Sequence, residues 1–307
     1  FFGLGYAAEQ PTYFSKKAQK AGYAEDHLVE TGLVIKNDRG TVDRFRGRVL
    51  FPIRSMAGRV QGFGGRILSA TAKTAKYLNS PESDIYHKSQ VLYGIYEAKK
   101  TIAKEDVCYL VEGYTDVIQL YQKGVENVVS SSGTALTPEQ IRLIRRLTSN
   151  VVVLFDGDAA GLRAALRGID LILQEGMNVR ICSFPEGEDP DSFAKSHSLE
   201  EIQTYLTEQA KDFIQFKTDL LLQESASDPV KKATTVREIV QSIAKIPDAI
   251  KQEIYLRECA AQMEVSEEVL FNALAQEKSK KSAPVRKIET TGTKQELPKQ
   301  SGSIKSQ

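Results

Sequence analysis

The chemically loaded phrase in this 307-residue chain is Phe155-Asp156-Gly157-Asp158, where an apolar run from Val151 to Phe155 ends in two carboxylates two positions apart. In extended backbone, residues two apart face the same side, and Gly157 lets the chain turn tightly between them, so both acids can address one point. Two carboxylates facing one point repel unless a cation lies there, and hard oxygen donors select Mg²⁺ or Mn²⁺. An earlier apolar run, 107–111, ends in Glu112-Gly113, and a later one, 179–184, is followed by Glu188-Asp189-Pro190-Asp191. Acidic clusters after successive strands suit a two-metal phosphoryl or nucleotidyl transfer. Taken alone, each pair has a plainer reading: Asp189 or Asp191 could simply cap a helix that starts near Pro190.

The formal net charge of +1 hides a division. Residues 36–88 carry eleven Lys or Arg against four Asp or Glu, whereas residues 105–191 carry seven against fourteen. One part suits phosphates and the next suits metal ions, the distribution expected of an enzyme that holds a polyanion beside a divalent cation.

The elements that must position these groups can be read from periodicity. Val49, Phe51 and Ile53 alternate within 48–54, residues 58–68 form a second short run, and Ala57-Gly58 supplies the turn of a hairpin. Between 105 and 197, short continuous apolar runs at 107–111, 125–131, 151–155 and 179–184 alternate with helical patterns, the signature of strands buried on both faces of a parallel sheet. The helix over 137–148 opens with Thr137 at the N-cap, Pro138 at the first helical position and Gln140 completing a capping box. In such a wound sheet ligands bind beyond the carboxyl ends of the strands, where the acids lie. From 199 to 275 the pattern is helical, with starts at Asp228-Pro229 and at Ser266 and an interruption at Pro247. The expected fold is therefore α/β, mixed α+β overall: a basic N-terminal α+β subdomain (1–100), a central wound sheet (101–198), a helical bundle (199–275) and a flexible linker (276–307).

Composition excludes several classes. Apolar residues make up 41% and charged residues 26% of the chain, the balance of a globular protein. No stretch reaches the roughly 18 apolar residues of a membrane span, and nothing resembles a secretory signal. Cys108, Cys182 and Cys259 lie far apart without a Cys-x-x-Cys pair, so neither a zinc site nor a disulfide is expected, and a reducing cytoplasm fits. Because the chain opens on Phe1-Phe2-Gly3 rather than Met, a piece of a longer protein is expected.

Glu112-Gly113-Tyr114-Thr115-Asp116 together with Phe155 to Gly161 resembles the TOPRIM domain shared by primases, topoisomerases and some nucleases. Residues 44–54 (RFRGRVLFPIR), 62–66 (GFGGR), 76–81 (KYLNSP), 86–88 (YHK) and 92–94 (LYG), in that order, are similar to the catalytic core of bacterial replicative primases of the DnaG type. The likeness runs from about residue 1 to 275. It implies that residues 101–198 are a TOPRIM catalytic domain, with Glu112 as metal ligand or general base, Asp156 and Asp158 holding the principal Mg²⁺ or Mn²⁺, and Asp116, Asp189 and Asp191 completing the acidic surface. Arg44, Arg46 and Arg48, at i, i+2 and i+4, would form one stripe if extended, able to track a template or grip triphosphates. Arg66, after a Gly-rich turn, and Lys76 and Lys88 would serve as the basic-motif residues. Phe63, Tyr77 and Tyr86 could stack on bases or pack in the core. The implied reaction is template-directed synthesis of short RNA primers from ribonucleoside triphosphates on single-stranded DNA, by a monomer in the bacterial cytoplasm at the replication fork. Zinc would belong to a separate N-terminal module, and contacts with replicative helicase and single-strand-binding protein to regions not in this chain.

Other readings compete. A haloacid-dehalogenase-like phosphatase also opens on a strand ending in Asp-x-Asp, with Asp156 as nucleophile and Asp158 as general acid, but there the motif comes on the first strand. A TOPRIM topoisomerase would need a nucleophilic tyrosine, and none of the twelve has recognisable company. A TOPRIM nuclease and a nucleic-acid-binding scaffold with a degenerate acidic site complete the set.

Overall fold

The computed structural model describes residues 1–38, 40–68, 74–133, 135–155, 159–185, 187–225 and 228–282. The N-terminal part comprises β1 (Gly5–Ala7), α1 (Tyr13–Lys20), α2 (Glu25–Glu30), β2 (Val34–Asn37), β3 (Gly40–Asp43), β4 (Arg48–Arg54), β5 (Val60–Ile67) and β6 (Tyr77–Asn79). Strands β1, β4, β5 and β6 form an antiparallel sheet in the order β1-β4-β5-β6, and β2 pairs with β3 in a separate ribbon. The expected hairpin is β4 to β5, turning at Gly58 with φ +86°, in the left-handed region where glycine is favoured. Pro52 sits in β4 beyond Leu50, the last residue that β1 pairs, so its missing N–H breaks no ladder on that side.

A 3₁₀ turn (Lys88–Gln90) and α3 (Ile95–Glu105) lead into the second sheet. It contains β7 (Cys108–Val111), α4 (Tyr114–Gln122), β8 (Val128–Ser130), α5 (Pro138–Arg145), β9 (Asn150–Phe155), α6 (Ala159–Gln174) and β10 (Asn178–Ser183), followed by α7 (Pro190–Ser196) and α8 (Leu199–Glu208). The four strands are parallel, as the apolar runs predict. A fifth strand, β11 (Lys211–Asp212), adds antiparallel to the β10 edge, so the segment from 199 is not helical throughout. The order β11-β10-β9-β7-β8 places the reversal of winding between β7 and β9, which makes the gap beyond Val111 and Phe155 the crevice of this sheet.

Side-chain alternation along β9 explains how three layers assemble. Val151, Val153 and Phe155 join the core shared with the helical bundle, whereas Val152 and Leu154 join the core shared with the N-terminal sheet. Each such burial is worth about 1.5–3 kcal/mol, so neither face could be left to water. The bundle is α9 (Phe213–Ser225), α10 (Pro229–Ile243), α11 (Ala249–Met263) and α12 (Glu267–Ser282). Asp228 caps α10, as its Asp-Pro start predicts, and α12 runs past 276 into the segment expected as linker. It meets α6 through a polar knot, in which Asp170 accepts the Ser242 hydroxyl at 2.7 Å and pairs with Lys245, while the buried Lys217 donates to Ser242 at 2.8 Å.

The N-terminal sheet meets the parallel sheet on aromatics. The Gly-rich phrase at 62–65 is the middle of β5 rather than a turn, and its glycines are spaces: a Cβ at Gly62 would lie 2.6 Å from the Tyr86 ring, one at Gly64 2.4 Å from Tyr114, and one at Gly65 2.7 Å from Phe45. Tyr114 stacks on Phe51 at 5.0 Å and meets the edge of Tyr93 at 4.8 Å. Gly64→Ala should therefore cost about 1–3 kcal/mol by overpacking, read by urea denaturation, whereas Gly5→Ala, whose Cβ would meet nothing within 4 Å, should stay within about 0.5 kcal/mol.

Candidate active site

Glu112 leaves the end of β7 into solvent, and its carbonyl accepts the Gly133 N–H at 3.3 Å. Two residues on, Tyr114 turns back into the core. Burial pushes its phenol well above the ordinary value, so it stays protonated and donates to Asn79 Oδ1 at 2.8 Å. Asn79 in turn donates to the Ser132 carbonyl at 3.2 Å, so β6 of one sheet is tied to the loop after β8 of the other. Asp116 sits in the first turn of α4 and accepts the Gly113 N–H at 2.8 Å. Asp189 is the N-cap of α7, accepting the Ser192 N–H at 2.7 Å, and Asp191 pairs with Lys195 at 2.5 Å. The capping role is thus real, and it also fixes where these carboxylates stand.

These acids share one cleft of about 610 Å³ with cations from the N-terminal sheet. Glu112, Asp116, Asp189 and Asp191 line it together with Arg66 and Lys76 at the edge of that sheet and Lys88 on the 3₁₀ turn. Arg66 and Lys76 flank Tyr77, 5.8 and 6.0 Å from its ring centroid. Lys88 is placed through α5: Gln140, fully buried, donates to the carbonyls of Lys88 at 3.2 Å and Val91 at 2.8 Å while its Oε1 accepts the Thr137 N–H. Asp156 and Asp158 lie outside the described residues; in sequence they follow directly on Phe155, the last residue of β9. Among the described residues no group of three His, Cys, Asp or Glu side chains is close enough to hold a metal ion. The cleft does offer hard oxygen donors, and no thiolate or imidazole is among the residues that line it, a donor set that fits a divalent cation of the Mg²⁺ class.

The arginine stripe is not a stripe. Residues 44–47 connect β3 to β4 and are not a strand, so Arg44, Arg46 and Arg48 part company. Arg48 is buried at 6% exposure and donates to the carbonyls of Gly65, Ala75 and Lys76, holding the segment that carries Lys76. Arg46 is exposed; Arg44 is half-buried, its guanidinium desolvated and its Nε without an acceptor among the described residues. All three still line one cavity of about 520 Å³, which meets the acidic cleft at Leu78. Of the aromatic candidates, Tyr86 is 1% exposed and belongs to the core, Tyr77 stands in the cleft, and Phe63 faces another pocket. Asn79, Ser132 and Gly133 are cleft residues without a charge to advertise them. Their signals were the Asn of the 76–81 phrase and the Ser-Ser-Gly loop at the same sheet edge.

Comparison with known proteins now decides the family. The family described as DNA primase catalytic core, N-terminal domain, matches residues 1–99, a Toprim-like family matches 109–194, and the DnaB-helicase binding domain of primase matches 214–268. A DNA primase domain from Pseudomonas aeruginosa superposes with a TM-score of 0.79 at 34% identity, covering 89% of this chain and 87% of that one. The chain belongs to the DnaG-type bacterial primases. The DNA primase of Clostridium acetobutylicum is 34% identical over 292 residues, 94% of this chain and 48% of the relative, so the chain spans about half the length of the curated primases it matches. A DnaG primase catalytic domain solved bound to single-stranded DNA gives a TM-score of 0.76 at 35% identity, covering 87% of this chain and 84% of that one. These likenesses do not favour the phosphatase, topoisomerase or nuclease readings. Primase membership carries the use of a divalent metal with it. The helicase-binding match falls on the helical segment, whereas the resemblance had put such a module beyond the linker. No helix among the described residues is long and apolar enough to cross a membrane.

Arg48→Ala should remove a buried side chain together with its hydrogen bonds to three carbonyls and cost about 2–4 kcal/mol in a urea titration, while Arg46→Ala should leave the midpoint within about 0.5 kcal/mol.

Proposed function

We propose that this chain is the RNA-polymerising core of a primase, which makes short RNA primers on single-stranded DNA by nucleotidyl transfer. The observation that carries the reading is that Arg66, Lys76 and Lys88 line the same cleft as Glu112, Asp116, Asp189 and Asp191. A nucleoside triphosphate needs cations for its phosphates, and the acids beside them would hold Mg²⁺ or Mn²⁺ with Asp156 and Asp158 as the principal ligands. When bound, the metal supplies charge stabilisation at the phosphates and at the attacking hydroxyl. The chain's own residues do the rest. Lys76, on the edge held by Arg48, and Lys88, on the turn held by Gln140, orient the triphosphate; Asn79, fixed by Tyr114, offers an amide beside them; Glu112 takes the proton of the 3′-hydroxyl or shares in metal binding. Arg44, Arg46 and Arg48 border the path of the template, through a sequence-independent phosphate attraction.

In this assignment residues 1–100 bind template and nucleotide, 101–198 catalyse, 199–275 form the helical subdomain, and 276–307 link onward from 283. The helical segment is the candidate contact for the replicative helicase, single-strand-binding protein is met elsewhere, and the chain acts as a monomer in the cytoplasm at the fork. Zinc has no part in this core.

Incubation with single-stranded DNA, four ribonucleotides labelled at the α-phosphate and Mg²⁺ or Mn²⁺ should yield a template-dependent ladder of short RNA. Glu112→Gln and Asp156→Ala should remove the ladder, by at least about a hundredfold, with DNA affinity unchanged. Loss of both together would point to misfolding, and a ladder from Asp156→Ala would end the proposal. Arg46→Ala should weaken DNA binding and flatten its salt dependence, with the slope reduced by about one.

A further inference from the structure

Next to the arginine cavity lies a second pocket that the reaction does not use. It encloses about 200 Å³ and is walled by aromatic rings: Tyr6 from β1, Tyr13 and Phe14 from the start of α1, and Phe45 and Phe63 beneath. Its outer rings are unusually wet for apolar groups, with Tyr6 at 58%, Tyr13 at 45% and Phe14 at 40% exposure. The two charged groups on its wall differ. The buried Asp43 is already committed to the Phe14 N–H at 2.7 Å and the Ser15 N–H at 2.9 Å, so it holds the helix that presents the rings. Lys17 is exposed and lies 4.7 Å over the Tyr13 ring.

Three observations say what this pocket takes. Tyr6 lines both this pocket and the arginine cavity, so a ligand can span the two. Helix α1 carries Lys16, Lys17 and Lys20 and no acid, and its Lys17 lines the pocket, while the adjoining cavity sets Arg44, Arg46 and Arg48 against the single acid Glu9, so cations outnumber acids there. In the adjoining cavity the Arg44 Nε–H is buried without an acceptor among the described residues, which an oxyanion would satisfy. Flat rings beside a cationic groove fit a molecule that alternates π-faces with phosphates.

We infer that this pocket receives an unpaired nucleobase of single-stranded nucleic acid, stacked on Tyr6, Tyr13 or Phe14, with its neighbouring phosphate on Arg44 and Arg46. The inference rests on the template reading above and extends it: the strand runs from the acidic cleft past Leu78, through the arginine cavity, and is anchored at Tyr6 by a base stack that tolerates any sequence. It is a non-covalent site remote from the reacting atoms, so it sets the grip on template rather than the chemical step.

Oligodeoxynucleotides carrying 5-iodouracil at successive positions, irradiated in complex with the 307-residue chain, test it directly. One position should cross-link to Tyr6, Tyr13 or Phe14 by mass spectrometry. Tyr13→Ala with Phe14→Ala should weaken binding about five- to tenfold, and an abasic nucleotide at the cross-linking position should weaken it by a similar factor. The two changes together should cost little more than either alone. Binding that falls with Arg46→Ala while no pocket residue cross-links overturns the inference and leaves the template reading standing. Binding insensitive to Arg46→Ala as well as to the pocket removes both. If the double variant instead shifts the sedimentation of the DNA-free chain, the pocket joins copies of the chain and the inference falls. The cross-link uses the unsubstituted protein, so a variant that fails to fold does not blunt the test.

Discussion

Tyr114 is the interaction on which the site depends. The phenol end of its ring fills the space left at Gly64, its face stacks on Phe51, and its hydroxyl donates to Asn79. One residue thereby ties together two sheets that also share an apolar core. It stands two positions after Glu112, so the seat of the ring also fixes how far the carboxylate stands from Arg66 and Lys76 across the cleft. An aromatic ring against glycine is a close fit with little tolerance, the kind of contact that chooses one arrangement rather than merely favouring compactness.

The anchoring of the cleft is spread over groups that look unrelated to chemistry. Arg48 spends its charge on three carbonyls and steadies the strand edge bearing Lys76. Asp116 accepts the N-cap amide of α4 and Asp189 a first-turn amide of α7, which places two carboxylates at the cleft wall. On the far side of the parallel sheet, Asp170, Ser242, Lys245 and Lys217 bind α6 to the bundle, and α6 is the helix that follows the Asp-Gly-Asp phrase. A buried ammonium such as Lys217 is costly unless its partners are all in place, and desolvation accordingly lowers its pKa, so the packing of α9 and α10 on α6 is strongly specified.

Much of this was legible. The four apolar runs are four parallel strands because continuous burial leaves no polar face to read, and the Thr-Pro-Glu-Gln start of α5 is a cap in fact as in pattern. Glu112 stands directly after the end of β7, and Asp189 caps a helix as the Asp-Pro phrase allowed. What failed to show was whatever depends on three-dimensional neighbours. Arg44, Arg46 and Arg48 have strand spacing, yet Phe45 must turn into the core under Gly65, and the chain from 44 to 47 bends to let it. Gly62, Gly64 and Gly65 read as a turn because glycine most often marks one, whereas here it makes room for rings arriving from distant sequence. Tyr86, for which base stacking and core packing were both open, is one of those rings. The edge strand β11 is two residues long, too short for any periodicity to reveal.

Gln140 carries a last consequence. As the third residue of a capping box it could be Gln or Glu with equal benefit to the helix, since either offers an oxygen to the Thr137 N–H. Its amide nitrogen, however, gives two hydrogen bonds to the turn that bears Lys88. A carboxylate there would point a lone pair at two carbonyl oxygens in a buried place. The freedom that the local motif leaves open is closed by the turn after β6, so this position has one acceptable letter where helix physics alone allows two, and drift at a helix start is held in check by carbonyls about fifty residues away.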